Sequence, residues 1–312
     1  NYSSKYREPV TGSYKGYEVI SMGPPSSGGA LLINMLNMLE LYEKDSLEWN
    51  SSDYVHILTE IERRAYADRA EHMGDPDYWD VPLEMFKSKE YAEIRTADID
   101  INKASPSDEV YAGDPAGYES PETTHYSVVD QWGNAVSVTT TINLGYGNGC
   151  VVKGAGFFLN NEMDDFSSKP GVPNVFGLVG NEANAIEPNK RPLSSMTPTI
   201  ILKNNKPFLV IGSPGGSTII TTVMQTILNV VDHDMDIKEA VCAARFHSQW
   251  LPDVIQIEPR GLAKDVIGNL ELRGHKIVPR GGYIGESNCI MIREDGIYGG
   301  GDCRGETSAI GY

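Results

Sequence analysis

Nowhere do about 18 apolar residues follow one another, so the sequence holds no run long enough to cross a bilayer as a helix. The first residues, Asn1-Tyr2-Ser3-Ser4-Lys5-Tyr6, lack the basic-then-apolar order of a secretion signal, and the compartment is therefore unreadable from the chain itself. Cationic residues are scarce: 26 Lys and Arg stand against 43 Asp and Glu, a net charge of −17. Binding to phosphate backbones or anionic membranes draws on cationic side chains, so neither is expected as a partner and a small solute is. Only four cysteines occur, Cys150, Cys242, Cys289 and Cys303, with no CxxC pair and no metal-ligand spacing to the six histidines. No metal site, redox motif or cofactor is expected, while pairing of the cysteines stays open. The P-loop GxxxxGK[ST], the GxGxxG fingerprint and the Gly-x-Ser-x-Gly elbow are also missing.

What is present is ordinary globular material, 312 residues with 40% hydrophobic and 22% charged, enough for a sizeable core. Residues 26 to 43 open with Ser26-Ser27-Gly28-Gly29 and read as a serine-capped, buried helix. A second helix is expected from a Ser52 or Asp53 cap to Gly74, whose freedom at positive φ suits a helix C-terminus. His56 and His72 lie on it without a partner acid at ligand spacing, which favours a structural or surface role. From Asp98 to Glu122 the sequence turns polar and rich in Pro, Gly and Ser, an exposed connector where scission would be tolerated.

The clearest hairpin follows: Thr123 to Asp130, a Gln131-Trp132-Gly133 turn, then Asn134 to Asn143. A three-residue loop ending in glycine fits a type I turn with a G1 bulge, which fixes register. If Asp130 faces Asn134, counting back along both strands sets Thr123 opposite Thr141, with Asn143 projecting from the same face just beyond the strand end. Ser167 to Lys190 has little periodicity and reads as a lid. A hairpin around Asn204-Asn205 leads through Gly212-Ser213-Pro214-Gly215-Gly216-Ser217 into a helix from Thr218 to about Val231. Helices near 236–245 and 263–273 and strands near 287–293 and 296–300 complete an α+β pattern.

Three clusters could carry chemistry, each beside a plainer reading. Gly215-Gly216 at a strand-to-helix turn offers N–H groups to an anion or oxyanion, or simply packs tightly; no lysine follows to hold a phosphate. Glu162 and Asp165, with Asp164 between, could bind an ammonium group, bind a metal or face solvent. Ser194-Ser195 could donate to a carboxylate or satisfy local backbone.

Read together with Thr123-Thr124-His125-Tyr126-Ser127-Val128-Val129-Asp130, these clusters resemble the γ-glutamyltransferases of the N-terminal nucleophile hydrolase group. Asn160-Asn161-Glu162-Met163-Asp164-Asp165-Phe166, Lys190-Arg191-Pro192-Leu193-Ser194-Ser195-Met196 and Gly212-Ser213-Pro214-Gly215-Gly216 stand in that family's order and spacing. Thr123 to Tyr312 is similar to a complete small subunit, and residues 1–122 to the last part of a large one, together forming one domain. The resemblance implies a four-layer αββα sandwich and a precursor cut between Glu122 and Thr123. It implies an acyl-enzyme on Thr123, formed from glutathione or another γ-glutamyl compound and resolved by water or an amino-acid or dipeptide acceptor. Thr141 would orient the nucleophile, and Gly215 and Gly216 would form the oxyanion hole. Asn143, Glu162 and Asp165 would hold the α-ammonium, and Ser194 and Ser195 the α-carboxylate. A large/small subunit heterodimer and a periplasmic or extracellular location are implied by the family alone.

Three departures stand out. No residue here inherits the large-subunit arginine that the family directs at the substrate α-carboxylate, and without the rest of that subunit the isolated chain is expected to be unstable or to depend on a partner polypeptide. Phe176 in the lid stands where a tyrosine is common, keeping an aromatic cover but removing a hydroxyl that could latch onto Asn143, so an easier-opening lid is expected. Cys303 replaces a usual proline, without a functional account. Two other readings compete: a related acylase using Thr123 on a different acyl group, and a catalytically silent γ-glutamyl-binding homologue that is never cut.

Overall fold

The computed structural model describes residues 3–43, 47–111, 123–169, 171–174 and 176–312. Glu122 and residues 112–121 of the connector before it lie outside the described residues. Strands β1 (Val10–Tyr14) and β2 (Tyr17–Ser21) are followed by four helices, α1 (Gly28–Leu39), α2 (Ser52–His72), α3 (Leu83–Lys87) and α4 (Lys89–Thr96). After the connector come β3 (Thr123–Val129), β4 (Ala135–Thr141), β5 (Thr199–Lys203) and β6 (Lys206–Gly212). The remainder holds α5 (Ile219–Val231), α6 (Ile237–Cys242), β7 (Phe246–His247), β8 (Ile255–Ile257), α7 (Lys264–Leu272), β9 (Ile277–Pro279), β10 (Asn288–Arg293) and β11 (Gly296–Gly300).

Six strands form one sheet in the order β1-β2-β5-β6-β10-β11, so strands from both sides of residue 122 share it. Val19, Ile201, Leu209 and Met291 line up across that sheet and are buried on one face. They join the core with Leu31, Leu32, Met35 and Leu36 of α1 and Val223, Met224 and Ile227 of α5. Burial of such side chains stabilises by about 1.5–3 kcal/mol each, which makes this the main adhesive of the fold.

The β3–β4 hairpin lies on the opposite face. Gly212 marks the contact: a Cβ there would meet the His125 ring at 2.3 Å, so only a glycine lets the hairpin approach this closely. Ser137 Oγ donates to the Ile211 carbonyl at 2.9 Å and Ser127 Oγ to that of Asn288 at 3.2 Å, fastening the hairpin to β6 and β10. Helices, the six-stranded sheet and the hairpin are thus three stacked layers of mixed α and β structure. Among the described residues no helix is long and apolar enough to cross a membrane.

Several expectations shift. Helix α1 starts at Gly28, and Ser27 precedes it in helical backbone without a side-chain cap, because its hydroxyl is engaged elsewhere. Helix α2 is capped by Ser51, which accepts from Tyr54 N, and ends before Met73 in extended backbone. Gly74 is not at positive φ; a Cβ there would meet the Ala183 carbonyl at 2.2 Å, so close packing demands the glycine. The four cysteines are free thiols.

Candidate active site

Thr123 opens β3 and pairs with Thr141 at the end of β4, as the turn chemistry predicts: Asp130 N donates to the Asn134 carbonyl, and Gly133 takes φ +85°. The hydroxyl of Thr123 donates to that of Thr141 at 3.4 Å. Thr141 Oγ1 also accepts from Asn143 N at 2.9 Å, an approach made possible by the left-handed backbone of Asn143 at φ +72°. Asn143 is buried, and its side-chain amide donates to the Asn161 carbonyl at 3.2 Å. Asn161 Oδ1 accepts from Leu144 N at 3.0 Å, so the hairpin end and the start of the acidic segment form one hydrogen-bonded unit.

That segment turns as a 3₁₀ helix, Glu162–Asp165. Burial lifts the Asp165 carboxyl to about 7; the Glu162 and Asp164 charges push the same way, and Arg69 opposes them. Glu162 is raised as well, by burial. Two acids raised this way form a seat that an incoming cation would stabilise. Asn184 ties this seat to the serine pair, its side-chain amide donating to the Asp165 carbonyl at 2.7 Å and its oxygen accepting from Leu193 N at 2.9 Å.

Ser194 and Ser195 dock against the turn before α1. Ser194 N donates to the Pro25 carbonyl at 2.8 Å, and Ser27 N donates back to the Ser194 carbonyl at 2.9 Å. Arg69, from the last turn of α2 and 4% exposed, donates through Nη2 to Ser195 Oγ at 3.2 Å. Sequence reasoning missed this arginine because helical spacing gives no hint of which of α2's arginines faces a turn more than 120 residues away.

Gly215 and Gly216 sit where β6 passes through a 3₁₀ turn, Gly216–Thr218, into α5. Their φ values of +141° and +56° suit glycine, and the Gly215 carbonyl is occupied by Thr218 N at 3.0 Å and Thr218 Oγ1 at 2.8 Å. Phe176 is buried against this turn: a Cβ on Gly216 would meet its ring at 2.7 Å. Gln249 Nε2 donates to the Phe176 carbonyl at 3.0 Å and Gln249 Oε1 accepts from Ser217 Oγ at 2.6 Å, which fixes the aromatic cover to the glycine turn. The hydroxyl pair, the acidic seat, the serine pair and the covered glycine turn are each built as packed units.

A separate knot joins α2 to the later chain. His56 Nδ1 lies 2.7 Å from His275 Nε2, and with Glu60 these are the described groups with ligand atoms close enough to share a metal, within 4.8 Å of one another. Glu60 accepts from Arg64 Nη1 at 2.7 Å and Ser105 N at 3.0 Å, one bond to each carboxylate oxygen. His56 is buried, and its nearest potential ligand partner, His275, is too far along the chain for linear spacing to reveal.

The Thr123–Thr141 hydroxyl pair and the Gly215-Gly216 turn at a helix start are groups of the kinds that acyl transfer uses. The chain belongs to the gamma-glutamyltranspeptidase family, whose match runs over residues 1–312. It is 50% identical over 304 residues to the glutathione hydrolase proenzyme of Escherichia coli (strain K12), covering 97% of this chain and 52% of that one. With the glutathione hydrolase proenzyme of Pseudomonas aeruginosa it shares 42% identity over 309 residues, 98% of this chain and 55% of that one. The chain thus spans about half the length of the curated relatives it matches. Among solved structures, a mutant gamma-glutamyltranspeptidase of Helicobacter pylori is 61% identical, with a TM-score of 0.57 over 58% of this chain and 100% of that chain. The cephalosporin acylase of Bacillus halodurans, 26% identical, superposes over 97% of this chain and 52% of that one with a TM-score of 0.80.

Proposed function

We propose that this chain carries the catalytic centre of a γ-glutamyltransferase and glutathione hydrolase that becomes active when the bond between Glu122 and Thr123 is cut. The observation that carries the reading is the Thr123–Thr141 hydroxyl pair at the hairpin end, 3.4 Å apart. In the uncut chain the nitrogen of Thr123 is an amide and cannot act as a base. Cleavage turns it into an amine with an ordinary pKa near 8, able to take the proton of its own hydroxyl. Thr123 Oγ1 then attacks the γ-glutamyl amide carbonyl while Thr141 holds its direction. Negative charge on that carbonyl oxygen would be met by the N–H groups of Gly215 and Gly216. The leaving amine departs with a proton, and water or an amino-acid or dipeptide amine resolves the ester on Thr123. Asn143, Glu162 and Asp165 would hold the α-ammonium, Ser194 and Ser195 the α-carboxylate, and Phe176 would cover the bound acyl group as part of a lid.

The same reading makes residues 1–122 part of a large subunit and 123–312 the small subunit, held in one αββα domain. The apolar outer face of the hairpin, where Tyr126, Val128 and Val136 are each about half exposed, supports a further layer there in the whole protein. A periplasmic or extracellular site belongs to this proposal.

The test is intact mass. Purified precursor is expected to yield two fragments, one ending at Glu122 and one beginning at Thr123, and Thr123→Ala is expected to abolish both splitting and γ-glutamyl turnover. A single uncleaved species with normal turnover refutes the mechanism.

A further inference from the structure

A hydroxyl can donate or accept, but an ionised carboxylate only accepts, so a serine pair built for a carboxylate must have its hydrogens pointed outward. How this chain does so can be followed atom by atom. Ser194 Oγ accepts from Met196 N at 3.1 Å, which occupies its acceptor side. Ser195 Oγ, 8% exposed as a residue, accepts instead from the Arg69 guanidinium at 3.2 Å. A hydrogen turned back toward that cation would be repelled, so the Ser195 O–H is directed away from it.

The guanidinium is itself held. Its Nε donates to Ser27 Oγ at 2.9 Å, and the Ser27 hydroxyl donates onward to the Ser194 carbonyl at 2.9 Å. Arg69 therefore bridges the turn before α1 and the serine pair through Nε and Nη2. It forms no ion pair with a described residue, and burial outweighs the charges of Tyr66 and Asp165 that favour it. A buried cation without a direct counter-ion is costly and biases its surroundings toward an anion.

We propose that Arg69 is a positioning residue for the α-carboxylate pocket: it fixes the Ser195 hydroxyl as a hydrogen donor, so selectivity for acyl groups bearing that carboxylate depends on helix α2. This rests on the assignment of Ser194 and Ser195 under the proposed function. The role is indirect, through Ser195, and differs from that of an arginine that touches substrate.

Three p-nitroanilides test it with the full chain: γ-glutamyl, glutaryl, which lacks the α-amine, and 4-aminobutyryl, which lacks the α-carboxylate. Arg69→Gln and Arg69→Lys are expected to raise KM about 10- to 100-fold for the two carboxylate-bearing substrates, with kcat within a few-fold and the 4-aminobutyryl substrate unaffected. Lysine keeps the charge but cannot reach Ser27 and Ser195 together, so it is not expected to rescue. Should Arg69→Gln fail to fold, Arg69→Lys carries the comparison, checked by its melting temperature. In a Ser195→Ala background Arg69→Lys should add no further loss of selectivity. Equal losses on all three substrates, or full additivity with Ser195→Ala, overturn the inference. Wild-type protein that is cleaved yet turns over no γ-glutamyl substrate overturns the functional reading and this inference with it; normal wild-type turnover with unshifted variant selectivity overturns only the role of Arg69.

Discussion

Asp165→Asn removes one charge and almost no volume from the acidic seat, which makes it the sharpest probe of substrate recognition. The Asp165 side chain is half-buried, so an ammonium group pairing with it would be partly shielded from bulk water. A hydrogen bond between charged groups contributes about 1.5–3 kcal/mol, which converts to a KM increase of about 10- to 150-fold for γ-glutamyl-p-nitroanilide. The glutaryl analogue has no ammonium and should change within a few-fold. The pH dependence adds a second signature. Burial places the Asp165 carboxyl at about 7, so below that pH the empty site holds a neutral acid that cannot pair with an ammonium. Donor KM should therefore fall as pH rises from 6 to 8, and Asp165→Asn should lose that dependence while kcat keeps its own, set by the Thr123 amine. Steady-state kinetics on both substrates across that range decides the matter. Equal KM increases on the two substrates, or an unchanged pH dependence in the variant, would refute an ammonium seat at Asp165.

Two further outcomes concern stability. Gly212→Ala places a methyl 2.3 Å from the His125 ring and must push the hairpin off the sheet; overpacking of this kind costs about 1–3 kcal/mol, measurable as a lower urea midpoint, and activity should fall with it because Thr123 rides on the displaced strand. An unchanged midpoint would show that the hairpin contact is soft. The buried histidines predict acid lability: burial lowers His125 and His275 to about 4 and His247 to about 3, against about 6.5 in the unfolded chain. Between those values the unfolded chain binds more protons, so stability is full above about pH 6.5 and falls toward pH 4 by up to about 1.4 kcal/mol per pH unit for each histidine. The raised Asp165 and Glu62 carboxyls act in the opposite direction over the same range, so urea melts at pH 7 and pH 5 are compared between wild type and His247→Gln: the variant should lose less stability on acidification, and an equal loss in the two would contradict the reasoning.

The β3–β4 hairpin was legible in the sequence because its information is local. A glycine that needs positive φ at position 133 sets the loop, the loop sets the register, and the register brings Thr141 to Thr123 without reference to any other element. Strands β5, β6, β10 and β11 were legible for the same reason, within a residue or two. The Ser26-Ser27-Gly28-Gly29 stretch misled for a physical reason. Serine before a helix reads as a cap, but the Ser27 hydroxyl is drawn away by Arg69 and the Ser194 carbonyl, partners set only by tertiary packing. Gly74 misled likewise, since its smallness serves Ala183 and not a helix end.

Arg69 shows most clearly what sequence cannot carry and why it matters for the chemistry. Cleavage before Thr123 would leave α2 and the serine pair on separate chains, with no peptide bond to keep them in register. What remains is non-covalent, and includes β2 paired with β5 from Glu18 to Ser21, the core between α1 and α5, the bridge from Ser27 through Arg69 to Ser195, and the His56–His275 knot. The first holds through backbone hydrogen bonds and the second through hydrophobic burial, so neither depends on the direction of a side-chain hydrogen. The Arg69 bridge alone also fixes the direction of a hydroxyl hydrogen at the proposed site. A substitution there should therefore spare assembly and alter recognition, whereas loss of the β2–β5 pairing should dissolve both together.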